Sequence, residues 1–247
     1  MDRKSLNILI IFVFLVVGFI LIIDSKFKNE NPKIEWDKSS DVLVINYERR
    51  YDVDYNYIPA FRVWGDGYIV WVVYEVDGER KVFDGYLPQS DLMLLLEKFR
   101  ETNFFTHCNE HQNYAFDYIR ISLLNKSCSN LIDENGFTNL SYADIASLVD
   151  FLASGAGVEG REYIPTIGYL YAVPYEKTEY FQNQTTIHPE IIWPADEFGY
   201  EIADVLEKEI VGAELFFAWK IVNSPEPFVI SDGKAYWISV IIPKISQ

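Results

Sequence analysis

A short polar segment, residues 107–111, contains the residue types best suited to binding a metal ion. It reads HCNEH, and Asp117 follows it closely. Two histidines four residues apart share one face of a helix and can chelate zinc, as in H-E-x-x-H sites. One prediction is therefore a metal-dependent hydrolase that uses zinc held by His107, His111 and Asp117. The simpler interpretation is a polar loop without any cofactor, because a catalytic site also needs helical context and an open coordination position.

Other catalytic classes find little support in the sequence. It contains no G-x-S-x-G nucleophile elbow and no G-x-x-x-x-G-K phosphate loop. Gly155-Ala156-Gly157 is rich in glycine, but it follows a predicted helix, whereas a dinucleotide-binding loop follows a strand. With 37 acidic residues, neighbouring carboxylates are too common to indicate a glycosidase. The sequence therefore favours a non-catalytic protein.

A second group of candidate site residues consists of Tyr51, Asp52, Asp54 and Trp64. The two aspartates resemble the start of a calcium loop, but the required glycine and glutamate are missing from its later positions. Aromatic rings beside polar groups suit stacking on a sugar or docking of a protein partner. The alternative is that these aromatic residues fill the core between a sheet and its helices.

Cys108 and Cys128 are the two cysteines of the chain. In an oxidising compartment they could form a disulfide, which would stabilise the fold by roughly 3 kcal/mol in the chain-entropy model. Two small buried thiols are the alternative, because sequence spacing alone cannot place two Cβ atoms within reach.

Residues 6–23 form an uncharged apolar run, LNILIIFVFLVVGFILII. As a helix it would be roughly 27 Å long, close to the hydrocarbon thickness of a bilayer. A cleaved signal peptide has a shorter apolar core and small residues before its cleavage site, and this run ends in Ile22-Ile23-Asp24. We therefore predict an uncleaved single-pass signal-anchor.

The anchor divides the chain into a cytoplasmic tail (residues 1–5), the membrane span (6–23), a polar tether (24–40) and an extracytoplasmic body. Basic residues flank both ends of the span, so orientation depends on the long domain that follows, which crosses membranes largely regardless of charge. We predict a cell-membrane protein whose bulk lies outside the cytoplasm. Its partners would be the lipid bilayer, through residues 6–23, and a protein or an envelope component.

Composition limits the range of partners further. The hydrophobic share of 49% and the aromatic share of 16% predict a folded body. The net charge of −16 should repel phosphate backbones. We therefore exclude nucleic acid as a partner.

The predicted fold class is α+β, with mainly antiparallel sheets and a few packed helices. Asp-Gly turns separate runs rich in Val, Ile, Tyr, Phe and Trp, which is typical of β-hairpins. The predicted strands are 42–46, 57–64, 68–76, 80–87, 115–124, 127–132, 163–175, 212–222 and 234–242. The predicted helices begin at caps Ser90 and Ser141, and a third spans 197–210.

Residues 154–161 are small and flexible and form the predicted domain boundary. The body would then consist of two α+β domains, 41–157 and 162–247. A single larger fold remains the alternative, because the second segment could also complete the first.

Overall fold

The computed structural model describes residues 33–48, 59–106, 108, 117–132, 142–175 and 191–246. The chain divides into two compact units, Met1–Glu35 and Trp36–Gln247, and all the elements below belong to the second. The fold is α+β with antiparallel sheets and few helices, which confirms the class predicted from the sequence. The predicted anchor, residues 6–23, lies outside the described residues. In the part of the chain that is described, no helix has the length and apolar character needed to cross a membrane.

The larger sheet has seven antiparallel strands in the order β6-β5-β1-β2-β3-β4-β7. Two tight turns explain its central meander, and both are the predicted Asp-Gly turns. Their glycines, Gly67 and Gly78, have positive φ angles of 91° and 86°, which glycine adopts without strain. The strands are β1 (Leu43–Glu48), β2 (Phe61–Trp64), β3 (Tyr68–Tyr74), β4 (Arg80–Tyr86), β5 (Asp117–Leu123), β6 (Lys126–Ile132) and β7 (Arg161–Glu162).

One face of this sheet, here called the helix face, is apolar. Its residues are opposite one another in the strand register, for example Ile45 opposite both Val63 and Ile121. Helix α1 (Gln89–Glu101) contributes four buried side chains, Leu92, Leu95, Leu96 and Phe99. Helix α2 (Tyr142–Ala153) buries Leu148 and Leu152. The buried residues of the two helices recur at the helical period of 3.6, and those of the strands alternate with period 2.

Helix α1 begins two residues earlier than a cap at Ser90 would place it, and Ser90 is not its cap. Pro88 occupies the N-cap position and makes no side-chain capping bond. The Ser90 hydroxyl instead contacts Asp91 at 3.1 Å. Ser141, the predicted cap of α2, lies outside the described residues.

The smaller sheet has four antiparallel strands in the order β10-β11-β8-β9. Helix α4 (Gly212–Val222) contacts three of them. Gly168 allows this approach, because a Cβ at its position would lie 2.8 Å from both Leu215 and Val240. The strands are β8 (Ile167–Pro174), β9 (Lys208–Val211), β10 (Phe228–Ser231) and β11 (Lys234–Ile241), and a short helix α3 (Ala195–Phe198) precedes β9.

Two predictions in this C-terminal half are wrong. Residues 212–222 form helix α4 rather than a strand, because Leu215, Ala218, Trp219 and Val222 fall on one buried helical stripe. Residues 197–210 are not one helix. Gly199, with φ 77°, ends α3 after a single turn, and the segment then passes through a 3₁₀ turn into β9.

The two sheets share one hydrophobic cluster. Buried side chains of the larger sheet, Trp64, Val70, Val72 and Val82, belong to the same cluster as residues of α4 and of the smaller sheet. A hydrogen bond also joins β4 to α4, since the guanidinium of Arg80 donates to the carbonyl of Val222 at the C-terminal end of α4. The division into domains 41–157 and 162–247 stays a prediction about independent folding.

The glycine-rich segment after α2 packs on the indole of Trp71. Gly155, Gly157 and Gly160 have the spacing of a dinucleotide-binding loop, but they follow a helix and precede β7. A Cβ at Gly160 would lie 2.0 Å from the Trp71 ring, and one at Gly155 would lie 2.6 Å from it. The glycines are therefore explained by close packing and by the positive φ of Gly155 at the helix end.

Candidate functional site

The predicted metal site lies largely outside the described residues. His107 and His111 are not described, and Asp117 is known only as the first residue of β5, opposite Ile132. Among the residues that are described, no group of three or more His, Cys, Asp or Glu side chains could hold a metal ion. The zinc hydrolase stays a prediction, which metal analysis of the purified chain and of a His107→Ala variant would test.

The predicted ligand contacts Tyr51, Asp52 and Asp54 also lie outside the described residues. Trp64 is described and is 3% exposed. Its ring lies 5.3 Å from that of Tyr68, and it belongs to the cluster shared by the two sheets. For Trp64 alone, this burial agrees with the alternative of a residue that fills the core.

Cys108 and Cys128 are joined by a disulfide, with their Cα atoms 5.0 Å apart. Cys128 is buried on the helix face of β6, and Cys108 lies just after the 3₁₀ turn Phe104–Thr106. The side chain of Asn130, also on β6, donates to the Phe104 carbonyl at 3.0 Å. The bridge and this hydrogen bond together hold the segment after α1 against the edge of the larger sheet.

The opposite face of the larger sheet, here called the second face, carries a polar cleft of about 370 Å³. Strand register creates it: Asn46 of β1 is opposite Arg62 of β2 on one side and Arg120 of β5 on the other. The next pair of β1 and β5 on this face is Glu48 opposite Tyr118. The lining residues are Leu43, Asn46, Glu48, Arg62, Tyr118, Arg120 and Ser122.

Arg62 forms the buried wall of this cleft and is 5% exposed. Its Nε donates to Asn46 Oδ1 at 2.7 Å, and another guanidinium nitrogen donates to the carbonyl of Ile245 at 2.5 Å. It also lies 3.5 Å from a carboxylate oxygen of Glu48. Burial lowers the pKa of Arg62 from its ordinary value, and the Glu48 carboxylate acts in the opposite direction. The guanidinium is thus fixed in place before any ligand arrives.

Arg120 and Ser122 form the open side of the cleft. Arg120 is exposed, and its Nε donates to the hydroxyl of Ser127 on β6 at 3.2 Å. Its terminal nitrogens extend beyond that bond and can donate to a ligand. The cleft therefore combines one buried and one accessible guanidinium with a carboxylate and hydroxyl groups.

The sequence predictions did not include the residues of this cleft. A signal was nevertheless present, because polar residues alternate with apolar ones at 46 and 48 and at 118, 120 and 122. A polar residue at every second position predicts a sheet face that is not packed against a core. The missing information was which strands would be neighbours.

A second buried polar cluster surrounds Asp84 of β4, which is 5% exposed. Its carboxylate accepts from the Tyr68 hydroxyl at 3.2 Å and from the Arg161 guanidinium at 3.0 and 3.3 Å. Burial, with the Asp84 charge as a smaller cause, raises the pKa of Tyr163 to about 12. These contacts hold β7 against β4, and this structural role accounts for the cluster.

We expect stability to fall at alkaline pH because of Tyr163. Its pKa is raised from 10.0 to about 12 in the fold, so its contribution is complete below about pH 10 and is lost as the pH rises to about 12. Urea unfolding across this range measures the loss. In Tyr163→Phe the decline should be shallower, whereas replacing the exposed Tyr86 by phenylalanine serves as the control. Equal slopes in the wild type and Tyr163→Phe would contradict the assignment.

Comparisons with protein-family models, with curated proteins and with solved structures found no match to this chain.

Proposed function

We propose that this chain is a non-catalytic, membrane-tethered binding module that faces the extracytoplasmic side and binds an envelope component or a protein. The polar cleft on the second face of the larger sheet is its binding site. The observation that carries this proposal is the pre-formed arrangement of Arg62, Asn46 and Glu48 beside the accessible Arg120. Binding sites of this kind gain affinity because little ordering is needed when the ligand arrives.

The chemistry of the cleft suits binding better than turnover. Its side chains are guanidinium, amide, hydroxyl and carboxylate groups, which fix the orientation of a polar ligand. A hydrolytic reaction would need a nucleophile with an adjacent base, or a paired acid and base. Arg62 is already engaged with Asn46 and Glu48, so these groups support one another and do not form such a pair.

Two further features support the proposed location of the body outside the cytoplasm. The uncharged run at residues 6–23 has the length of a membrane helix. The bridge between Cys108 and Cys128 suits an oxidising compartment, because cytosolic thiols are normally kept reduced. Together they support a body held outside the cytoplasm.

The test is a topology experiment on the full chain in an expressing cell. We expect the protein to remain in the membrane fraction after alkaline washing and its body to be digested by protease added to intact cells or spheroplasts. A maleimide reagent should label Cys108 and Cys128 only after reduction. The matched variant Phe14→Arg/Val17→Arg places two charges in the apolar run and should release the protein from the membrane fraction.

Recovery of the intact wild-type chain from the soluble cytoplasmic fraction, with both thiols reactive, would overturn this proposal. So would a reaction catalysed by the purified chain and abolished by Glu48→Gln.

A further inference from the structure

We infer that the polar cleft binds an acidic sugar, that is, a hydroxyl-rich ring carrying one carboxylate. This inference deepens the proposed function and rests on it, because it assigns a ligand class to the same cleft. The carboxylate would pair with Arg120, and the ring hydroxyls would bond to Asn46, Glu48 and Ser122.

The charge of the cleft differs in sign from that of the whole protein. Its lining contains two arginines and one glutamate, whereas the chain has a net charge of −16. A local positive excess in an acidic protein favours an anionic group at this position. Of the two arginines, Arg120 is the one exposed to solvent, and its planar guanidinium can bind a carboxylate through two parallel hydrogen bonds.

The carboxylate of Glu48 limits the negative charge of a ligand that the cleft can bind. Among the described contacts, Asn46 donates to its Oε1 at 2.6 Å and Arg62 lies 3.5 Å from the same atom. Its second oxygen remains an acceptor and suits a hydroxyl donor. With Arg62 beside Glu48, Arg120 is the one positive charge of the described cleft lining that is left for a ligand. A single carboxylate balances it, whereas a phosphate dianion carries a second negative charge that the Glu48 carboxylate would repel.

Hydroxyl groups match the remaining lining. Asn46 has donor and acceptor capacity beyond its bonds to Glu48 and Arg62, and the Ser122 hydroxyl can both donate and accept. Tyr118 projects from the same face of β5 as Arg120 and Ser122, so its ring can stack on the apolar side of a sugar.

The size of the cleft fits a small ligand of this class. Arg62, Asn46 and Arg120 form one row across three adjacent strands, which places the outer two about 10 Å apart at their Cα atoms. The volume of about 370 Å³ lies at the lower end of the range for small-molecule sites, roughly 300–1,000 Å³. One or two sugar units can occupy it.

The experiment is calorimetric titration of the purified full chain with D-galacturonic acid, D-galactose and D-galactose 6-phosphate. We expect galacturonic acid to bind best, because it is the one probe with a single carboxylate. Arg120→Gln should weaken this binding about tenfold or more, as expected for loss of a charge-assisted hydrogen bond. The matched control Lys234→Gln removes one positive charge from the exposed β10–β11 turn and should leave binding unchanged.

Three outcomes would overturn the assignment: no binding of galacturonic acid, equal or tighter binding of either other probe, or equal weakening by both variants. Arg120→Lys adds a finer test, since it keeps the charge but loses the planar fork, and its binding should fall between that of the wild type and of Arg120→Gln. The topology experiment involves no sugar. If the body lies outside the cytoplasm but does not bind galacturonic acid, the ligand class is refuted and the proposed function still stands.

Discussion

We expect Arg62→Met to lower the free energy of unfolding by about 3 kcal/mol, because it removes the donor shared by three acceptors. Methionine has a comparable length, so the loss reflects unpaired polar groups more than an empty space. Asn46 Oδ1 and the Ile245 carbonyl would each lose a partner at a position that water reaches poorly. Urea denaturation of the full chain, followed by tryptophan fluorescence, measures the effect.

Arg120→Met is the matched control for this prediction. Arg120 is opposite the same residue, Asn46, but on the other side of β1, and it is exposed. Surface replacements of this kind usually change stability by less than about 0.5 kcal/mol. Equal effects of the two replacements would show that burial of Arg62 does not determine its contribution.

Loss of the disulfide is the second change expected to have a large effect. We expect Cys108→Ala/Cys128→Ala to lower the free energy of unfolding by about 3 kcal/mol, because a bridge between residues separated by 20 positions restricts the unfolded chain. Adding a reductant to the wild type should cause a similar shift in the urea midpoint.

The double variant also supplies the control for the reductant. It has no bridge to break, so its urea midpoint should not change when the reductant is added. A wild type with the same midpoint in oxidised and reduced form would contradict a stabilising bridge.

The N-terminal strands were predictable from the sequence because local signals agreed there. Predicted strands 68–76 and 80–87 correspond to β3 and β4, and the Asp-Gly turn between them has the expected positive φ at Gly78. Turn chemistry and period-2 alternation act over a few residues and need no tertiary information.

Helix α4 was mistaken for a strand because its composition and its spacing favour different structures. Phe216, Phe217 and Trp219 favour strands by composition, whereas Leu215, Ala218 and Val222 have helical spacing. Contact with the smaller sheet stabilises the helix over the strand. Such tertiary selection cannot be read from propensity.

The cleft was not predictable for a different reason. Asn46 and Arg62 come from consecutive strands, but Arg120 comes from β5, which is distant in the sequence, and strand order alone brings it beside Asn46. Alternation shows which residues share a face within a strand, but it does not show that β5 returns to pair with β1. The site therefore arises from topology.

Strand β7 has a consequence for any shortened form of the protein. It follows the glycine-rich segment, yet it pairs with β4, with Phe83 opposite Glu162 and Asp84 opposite Arg161. A fragment that stopped at residue 157 would leave the backbone of β4 unpaired on that side and would uncover valines 70, 72 and 82. Bare strand edges beside apolar surface recruit other chains, so such a fragment would be prone to aggregate.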